Sequence, residues 1–460
     1  MRYEDLELLA IPLPEDLRKI KGRGDYDRLE RAIACRLAEP GLPGALRTRL
    51  ELERAIDARI PAAYPYSFDE AADMLAKALR GFEPQELDGF IDRGMVDFIY
   101  INGALHLHEL FLSTLIKVRP SLAPRLLDPG RLDDKRRHFA ALDAVIAEME
   151  RAGGAARRWH VRHTLAVKPA FQRVGEPITV HLPLPVEYDR VRGFRILDAG
   201  PGQGHVAGAT APQRTISFQK PLAASDVFFV EYSFEMHMPF CRLDPALAEG
   251  GLPPYDGEDY LGEQPPHIAF TPLVRATARE IAGAEREPLK LARRVYDYLT
   301  TKPIYSFVRN YFTYPNLTEH MLTAMKGDCG IFALTFITLC RCLGVPARWQ
   351  SGLFCAPHDV GCHDWAQIYC APWGWLPVDV SFGNAAWHAG DRARWDFYFG
   401  HMDPFRLPAA RAFQRPFDPP MRNLRSDPYD NQSGEAEYRD AALLSRQLDT
   451  KCEIIAYEEI

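Results

Sequence analysis

The sequence predicts an α+β fold, and three observations along the 460-residue chain support this class. Residues 25–93 place apolar side chains at the three- and four-residue spacing of amphipathic helices. Residues 156–240 switch to the two-residue alternation of short β-strands, separated by turns rich in proline and glycine. Residues 326–380 then contain an apolar helical run followed by a β-hairpin pattern. Helices and strands therefore occupy separate stretches of the chain, as in α+β proteins.

Changes of pattern along the chain divide it into four predicted domains. Residues 1–153 form a mainly helical N-terminal domain of unknown role, which ends at two glycines. Residues 154–242 form a β-sandwich, because several short strands follow one another at close spacing. Residues 243–425 contain two further helices and the chemically suggestive motifs. Residues 426–460 form a polar C-terminal tail with one helix, which we expect to begin at Ser433.

Local signals define several elements of the N-terminal domain. Asp25 and Ser67 each precede a helical pattern and are good N-caps. Asn102 and Gly103 stand between two β-rich runs, which is a strong signal for a two-residue hairpin.

Charge and composition exclude some classes of function. The chain carries 55 basic and 62 acidic residues, a net charge of −7, with no basic stripe for a nucleic-acid backbone. The first residues lack the basic flank and apolar run of a secretory signal, and no window is apolar enough to span a bilayer. We therefore expect a cytoplasmic protein that binds neither nucleic acid nor membranes.

The nine cysteines are an odd number, and six of them lie between residues 329 and 370. This pattern favours reduced thiols over a secreted disulfide framework. Cys355, His358, Cys362 and Cys370 could in principle converge on zinc, but their spacing fits no familiar zinc motif. His106 and His108 share a strand face and could form a metal-binding pair, but two histidines on an exposed hairpin edge are the more ordinary interpretation. We therefore predict neither a metal nor a cofactor.

One cysteine lies where a helix is expected to begin. In "KGDCGIFALTFITLCRCLGVPAR", Asp328 is a good N-cap and Gly344 ends the helix, so Cys329 falls in the first turn. Backbone N–H groups and the helix dipole favour a thiolate there. The charge of Asp328 would oppose a thiolate unless the carboxylate is used in capping. A buried structural cysteine is the alternative.

A histidine and an aspartate follow on a predicted hairpin, "HDWAQIYCAPWGWLPVDVS". A turn centred on Ala371 places His363 and Asp379 opposite each other on one face. The adjacent Asp364 should point to the other face, so Asp379 is the better partner for the imidazole. Trp365 shares the face of His363 and would either shield the ring or simply pack in the core.

These two segments, "GDCGIFALTFITLCRCLGVPARWQSGL" and "CHDWAQIYCAPWGWLPVDVSFG", resemble the transglutaminase-like superfamily. The resemblance covers roughly residues 285–400 and implies a papain-like core, in which a nucleophile helix packs on an antiparallel sheet. The preceding β-rich segment is similar to the sandwich that often precedes this core in bacterial members.

The resemblance implies a catalytic triad of Cys329, His363 and Asp379. It also implies an oxyanion site that uses the Cys329 backbone N–H and one upstream side chain, for which Tyr305 is our candidate. Such a site would attack a protein or peptide amide and form a thioester, which then passes to water or to an amine. Hydrolysis, protein-glutamine γ-glutamyl transfer and a scaffold role without turnover all stay open, as does the oligomeric state.

Overall fold

The computed structural model describes residues 3–128, 130–188, 190–254, 256–356 and 359–460. Its α-helices are α1 (Glu15–Gly22), α2 (Tyr26–Leu37), α3 (Gly44–Asp57), α4 (Phe68–Ala78), α5 (Gln85–Asp92), α6 (Phe111–Val118), α7 (Gly130–Ala152), α8 (Pro272–Ala282), α9 (Pro288–Thr301), α10 (Leu317–Ala324), α11 (Cys329–Cys342), α12 (Val380–His388) and α13 (Arg392–Phe397). Among the described helices, none is long and apolar enough to cross a bilayer.

The strands are β1 (Tyr66–Ser67), β2 (Phe98–Ile101), β3 (Ala104–Leu107), β4 (Gly154–Val167), β5 (Pro177–Pro183), β6 (Val191–Gly200), β7 (Gly204–Val206), β8 (Thr215–Pro221), β9 (Phe228–Pro239), β10 (Ile304–Tyr305), β11 (Lys326–Gly327), β12 (Ala347–Ala356), β13 (Asp359–Cys370), β14 (Gly374–Val378), β15 (Arg406–Ala410), β16 (Glu435–Tyr438) and β17 (Leu448–Glu459). Helices and largely antiparallel sheets coexist, which confirms the α+β class.

Contacts within the chain group its residues into two compact units. The first unit comprises residues 1–133, 264–269 and 303–328, and the second comprises residues 134–263, 270–302 and 329–460. The division into four domains stays a prediction.

The first unit contains the local structures expected near the N-terminus. The Asp25 carboxylate accepts a hydrogen bond from the third residue of α2, and Ser67 forms a capping box with Glu70 at the start of α4. Asn102 and Gly103 adopt φ angles of 50° and 83° between β2 and β3. Left-handed residues at both positions are what a tight hairpin turn requires, so the hairpin prediction is confirmed.

The second unit contains the predicted sandwich. One antiparallel sheet has the strand order β17-β4-β9-β6 and the other has the order β16-β5-β8-β7. Strands β4 and β9 of the first sheet contact β5 of the second. Along β9 every second side chain is buried, which matches the alternation seen in the sequence.

The predicted C-terminal helix is wrong. From Ser433 onward the chain forms β16, which pairs with β5, and β17, which pairs with β4. Salt bridges from Arg158 to Glu458 and from Arg157 to Glu459 follow the pairing of β4 with β17. Pairing with sheets already built upstream outweighs the local helical pattern of the tail, as tertiary contacts often do.

A four-stranded antiparallel sheet with the order β14-β13-β12-β15 carries the candidate site. Helix α11 packs against β12 and β13, and it also contacts α8, α9 and α12. Residues 329–341 of this helix are all buried. A buried helix on an antiparallel sheet is the arrangement that the sequence predicts for this segment.

Candidate active site

Cys329 is the first residue of α11, and only 8% of its surface is exposed. The helix ends at Cys342, two residues before Gly344, whose φ of 82° allows the chain to turn away. Both ends of the helix therefore lie where the sequence placed them. The Asp328 carboxylate, in the first unit, accepts a hydrogen bond of 2.7 Å from the Tyr311 hydroxyl.

The imidazole of His363 and the carboxylate of Asp379 are in direct contact. The distance from Nε2 of His363 to Oδ2 of Asp379 is 2.7 Å, and both side chains are buried. The carboxylate in contact with this imidazole belongs to Asp379 and not to the adjacent Asp364. Because an ionised carboxylate only accepts hydrogen bonds, the Nε2–H group donates, and Nδ1 is the basic nitrogen of the ring.

The strand register of the hairpin that brings these two residues together differs from the predicted register. Cys370 pairs with Gly374, so the turn is centred on Pro372 and not on Ala371. Asp379 is therefore diagonal to His363, one residue beyond the end of β14, where its carboxylate also caps α12 by accepting from the Phe382 N–H. A shift of one residue at the centre moves partners by two positions, which preserves the shared face.

Aromatic rings surround the imidazole. The indole of Trp365 stacks near the His363 ring at a centroid distance of 6.0 Å, and Phe382 lies at 4.6 Å. The indole N–H of Trp365 donates to the amide oxygen of Gln350 at 2.8 Å. Trp365 thus both contacts the imidazole and packs in the core.

A buried arginine supports Asp379. Arg406 at the start of β15 lies 2.9 Å from Oδ2 of Asp379 and 2.7 Å from Oδ2 of Asp403, and all three residues are inaccessible to solvent. The Tyr398 hydroxyl donates to Asp403 at 3.0 Å. We call His363, Asp379, Arg406, Asp403 and Tyr398 the Asp379 network.

The Asp379 network keeps its central carboxylate ionised. Burial alone would raise the pKa of Asp379, but the charges of His363 and Arg406 outweigh burial and lower this pKa to about 2. A permanent negative charge beside the imidazole stabilises imidazolium, which is the form that a general base reaches after taking a proton.

The Cys329 thiol contacts a second carboxylate. Its Sγ lies 3.3 Å from Oδ2 of Asp364, the neighbour of His363 on β13. The other oxygen of Asp364 accepts from the side-chain amide of Gln432 at 2.6 Å, and Asp364 also hydrogen-bonds to Asp430. Asp430 in turn bonds the hydroxyl of Ser351, which lies opposite Asp364 on β12.

Sequence reasoning missed Arg406, Asp430 and Gln432. A lone cation in the otherwise apolar run "RLPAA" is a signal that could have identified Arg406, because a buried arginine needs a carboxylate. Asp430 and Gln432 lie in the polar tail, about a hundred residues from Cys329, and no local pattern distinguishes them from surface residues.

Tyr305, the predicted oxyanion donor, lies on β10 in the first unit. Its ring packs edge-on against Phe307, and the ammonium group of Lys117 lies 4.3 Å from its centroid. A catalytic role for its hydroxyl stays a prediction.

Two cysteines of the zinc alternative have other polar partners. Cys362 contacts the Ser433 hydroxyl at 3.3 Å, and Cys370 lies 3.8 Å from the Glu249 carbonyl. His358 lies outside the described residues. Within the described part of the chain, no three metal-ligating side chains come together as a metal site would require.

The fold and this site define a protein with a cysteine at the start of a buried helix and a histidine–aspartate pair on the adjoining sheet. Residues 275–380, which include Cys329, His363 and Asp379, match the family model of the transglutaminase-like superfamily. The predicted resemblance is confirmed for this segment, which is the transglutaminase-like core of the chain.

Other known proteins share parts of the chain. An uncharacterized protein of Haemophilus influenzae is 27% identical over 155 residues, an alignment that covers 27% of this chain and 40% of that protein. The solved structure of a "putative cysteine protease" from Cytophaga hutchinsonii aligns with a TM-score of 0.41 at 15% identity, covering 66% of this chain and 91% of its own. The periplasmic domain of TgpA from Pseudomonas aeruginosa gives a TM-score of 0.28 at 18% identity, covering 55% and 95%.

Proposed function

We propose that this protein is a cysteine hydrolase that cleaves amide bonds in proteins or peptides. The observation that carries the proposal is the buried 2.7 Å contact between His363 and Asp379, in a transglutaminase-like core whose nucleophile helix begins at Cys329. The cytoplasm is the compartment we expect, on the sequence grounds given above.

The reaction we propose begins with transfer of the Cys329 thiol proton to Nδ1 of His363. The thiolate attacks the amide carbonyl carbon, and the resulting oxyanion is stabilised by the Cys329 backbone N–H. The imidazolium then protonates the departing nitrogen, the carbon–nitrogen bond breaks and a thioester forms. Water, deprotonated by His363, hydrolyses the thioester, releases the carboxylic acid and restores the thiol. Asp379 stays ionised throughout and holds the ring in the required tautomer.

A mass-spectrometric assay tests this proposal. The protein is incubated with a glutamine-containing peptide, with and without a primary amine, and the products are weighed. We expect conversion of glutamine to glutamate or cleavage of the peptide, and we expect Cys329→Ala to abolish it. Cys342→Ala is the matched control, because this half-buried cysteine ends the same helix and should retain turnover.

The other outcomes decide against hydrolysis. Incorporation of the amine would favour γ-glutamyl transfer, since water would then be the poorer acceptor. An unchanged peptide under varied pH and temperature, with wild type and Cys329→Ala alike, would favour a scaffold without turnover.

A further inference from the structure

A cavity of about 500 Å³ lies within the second unit, and its described lining includes none of the three residues of the proposed triad. Its lining comes from the first turns of helix α9, from the loop after β9, and from the end of α13 with the residues that follow it. We call it the α9 cavity. A volume of several hundred Å³ is typical of a site for a small organic ligand.

Part of the lining of the α9 cavity is apolar. Leu289 of α9 and Phe399 after α13 are buried, and Leu243 of the loop after β9 is partly exposed. The Cβ of any other residue at Gly400 would collide with Leu243, so the loop packs closely against the chain after α13. This apolar surface favours a ligand with an apolar body.

Two cations of helix α9 line the same cavity. Lys290 and Arg294 are four residues apart, so their side chains lie next to each other on one face of the helix. Arg294 donates from Nη1 to the carbonyl of Ala282 at 2.9 Å. Within the described part of the chain, neither cation has a carboxylate within ion-pair distance. Both are therefore available to an anionic ligand.

The other titratable groups of the lining determine the net charge of the α9 cavity. Arg293 is neutralised, because Asp297 and Asp396 each accept a hydrogen bond from it at 2.7 Å. The pKa of Glu285 is lowered by two backbone N–H groups of its own loop, so this carboxylate is ionised. Burial lowers the pKa of His401, so its ring is neutral at pH 7. One positive charge is left in excess, which matches a monoanion better than a dianion.

We propose that the α9 cavity binds a small carboxylic acid with an apolar body. Its carboxylate, a monoanion at neutral pH, accepts hydrogen bonds from the ammonium group of Lys290 and the guanidinium of Arg294. Its apolar part lies against Leu289 and Phe399. A fatty acid of medium chain length and the C-terminal residues of an apolar peptide share this chemistry. The inference does not depend on the proposed hydrolase function.

Isothermal titration calorimetry at neutral pH tests the proposal. The full-length protein carries Cys329→Ala throughout, so that no probe is hydrolysed. Octanoate and N-acetyl-leucyl-leucine are the two carboxylate probes, and the amide of each is its uncharged counterpart. We expect a carboxylate to bind about tenfold more tightly than its own amide. The carboxylate with the lower Kd then indicates whether a fatty acid or a peptide C-terminus is the better ligand.

Substitutions locate the binding. Lys290→Met and Arg294→Met together remove both cations, so the Kd of the carboxylate should rise about tenfold while that of the amide stays the same. Leu243→Asn replaces an apolar side chain with a polar one of similar size and should weaken binding of both. Lys302→Met is the matched control, because this exposed lysine ends the same helix outside the cavity and should leave the Kd unchanged.

Three results would overturn the proposal: no binding of either carboxylate, equal binding of a carboxylate and its amide, or an unchanged Kd in either cavity variant. If the double variant does not fold, because Arg294 also bonds Ala282, then Lys290→Met alone should raise the Kd about threefold. An unchanged Kd in that single variant would count equally against the site. Because these titrations involve no turnover, the cavity proposal and the proposed function can each fail without the other.

Discussion

Strand β13 presents two aspartate-centred environments, and they treat a buried carboxyl group in opposite ways. On one face His363 contacts Asp379, whose charge is balanced by Arg406, and the pKa of Asp379 falls to about 2. On the other face Asp364 meets Asp430, which is surrounded by hydroxyl, amide and carboxyl groups, and the pKa of Asp430 rises to about 7. Both carboxyl groups are buried, so their partners and not their depth decide the protonation state.

The difference teaches how neighbouring residues on one strand serve one thiol. The Asp379 network supplies a fixed charge that favours the imidazolium ion, while on the other face the Cys329 thiol donates a hydrogen bond to Oδ2 of Asp364. The proposed resting state is therefore a thiol beside an imidazole that is ready to accept its proton.

Asp379→Asn should produce the largest effect among the variants that test this comparison. The substitution keeps the shape of the side chain but removes the charge and allows the wrong imidazole tautomer. We expect kcat in the peptide assay to fall by about 10³- to 10⁴-fold. Asp403→Asn is the matched control, since Asp403 contacts Arg406 without touching His363. This variant should lower kcat much less than Asp379→Asn does. Equal losses in the two variants would show that Asp379 acts through the network as a whole.

Arg406→Met should produce the next largest effect, this time on stability. The substitution leaves Asp379 and Asp403 buried without their shared cation, which should lower the free energy of unfolding by about 3–5 kcal/mol. Chemical denaturation at pH 7 measures the change. Arg392→Met is the control, because Arg392 pairs with Asp396 at the surface and should matter by about 1 kcal/mol or less. A loss in Arg406→Met no larger than in the control would show that burial of the two aspartates is relieved in another way.

The sequence predicted one of these two environments better than the other. Cys329, His363 and Asp379 lie within about fifty residues, and each is placed by a local rule: a helix start, strand alternation and a hairpin. The register was misjudged by one residue at the turn, yet two-residue periodicity kept the face correct. Local rules of this kind carry over from sequence to structure because they depend on near neighbours.

The contacts of Asp364 with Asp430 and Gln432 depend instead on the pairing of strands that are distant in the sequence. Asp430 and Gln432 reach β13 because β16 and β17 join sheets formed by residues far upstream, including β4 and β5. The tail sequence, read alone, favoured a helix. Its apolar and polar residues fit either period over so short a length, and only the open sheet edges decide between them. Arg406 was missed for a related reason, because its partners lie on other elements of the fold.

The pH dependence of stability sharpens the comparison further. The folded-state pKa of Asp379 lies below its unfolded value of about 3.9, so its contribution is present above pH 4 and is lost as the pH falls toward 2. The contribution of Asp430 to stability depends on pH in the opposite direction. Its folded-state pKa lies above the unfolded value, so the native state binds the extra proton, and stability should decline as the pH rises from about 4 to 7.

Asp430→Asn removes this second contribution, because asparagine has no proton to lose. Between pH 4 and 7 we expect the stability of wild type to fall relative to that of Asp430→Asn by about 1.4 kcal/mol for each pH unit at most. Denaturant unfolding of both proteins across this range measures the difference, with Asp440→Asn run in parallel to subtract the effect of losing an exposed carboxylate. Parallel curves for wild type and Asp430→Asn would mean that Asp430 ionises normally in the folded protein. The two faces of β13 would then differ in their contacts but not in their protonation.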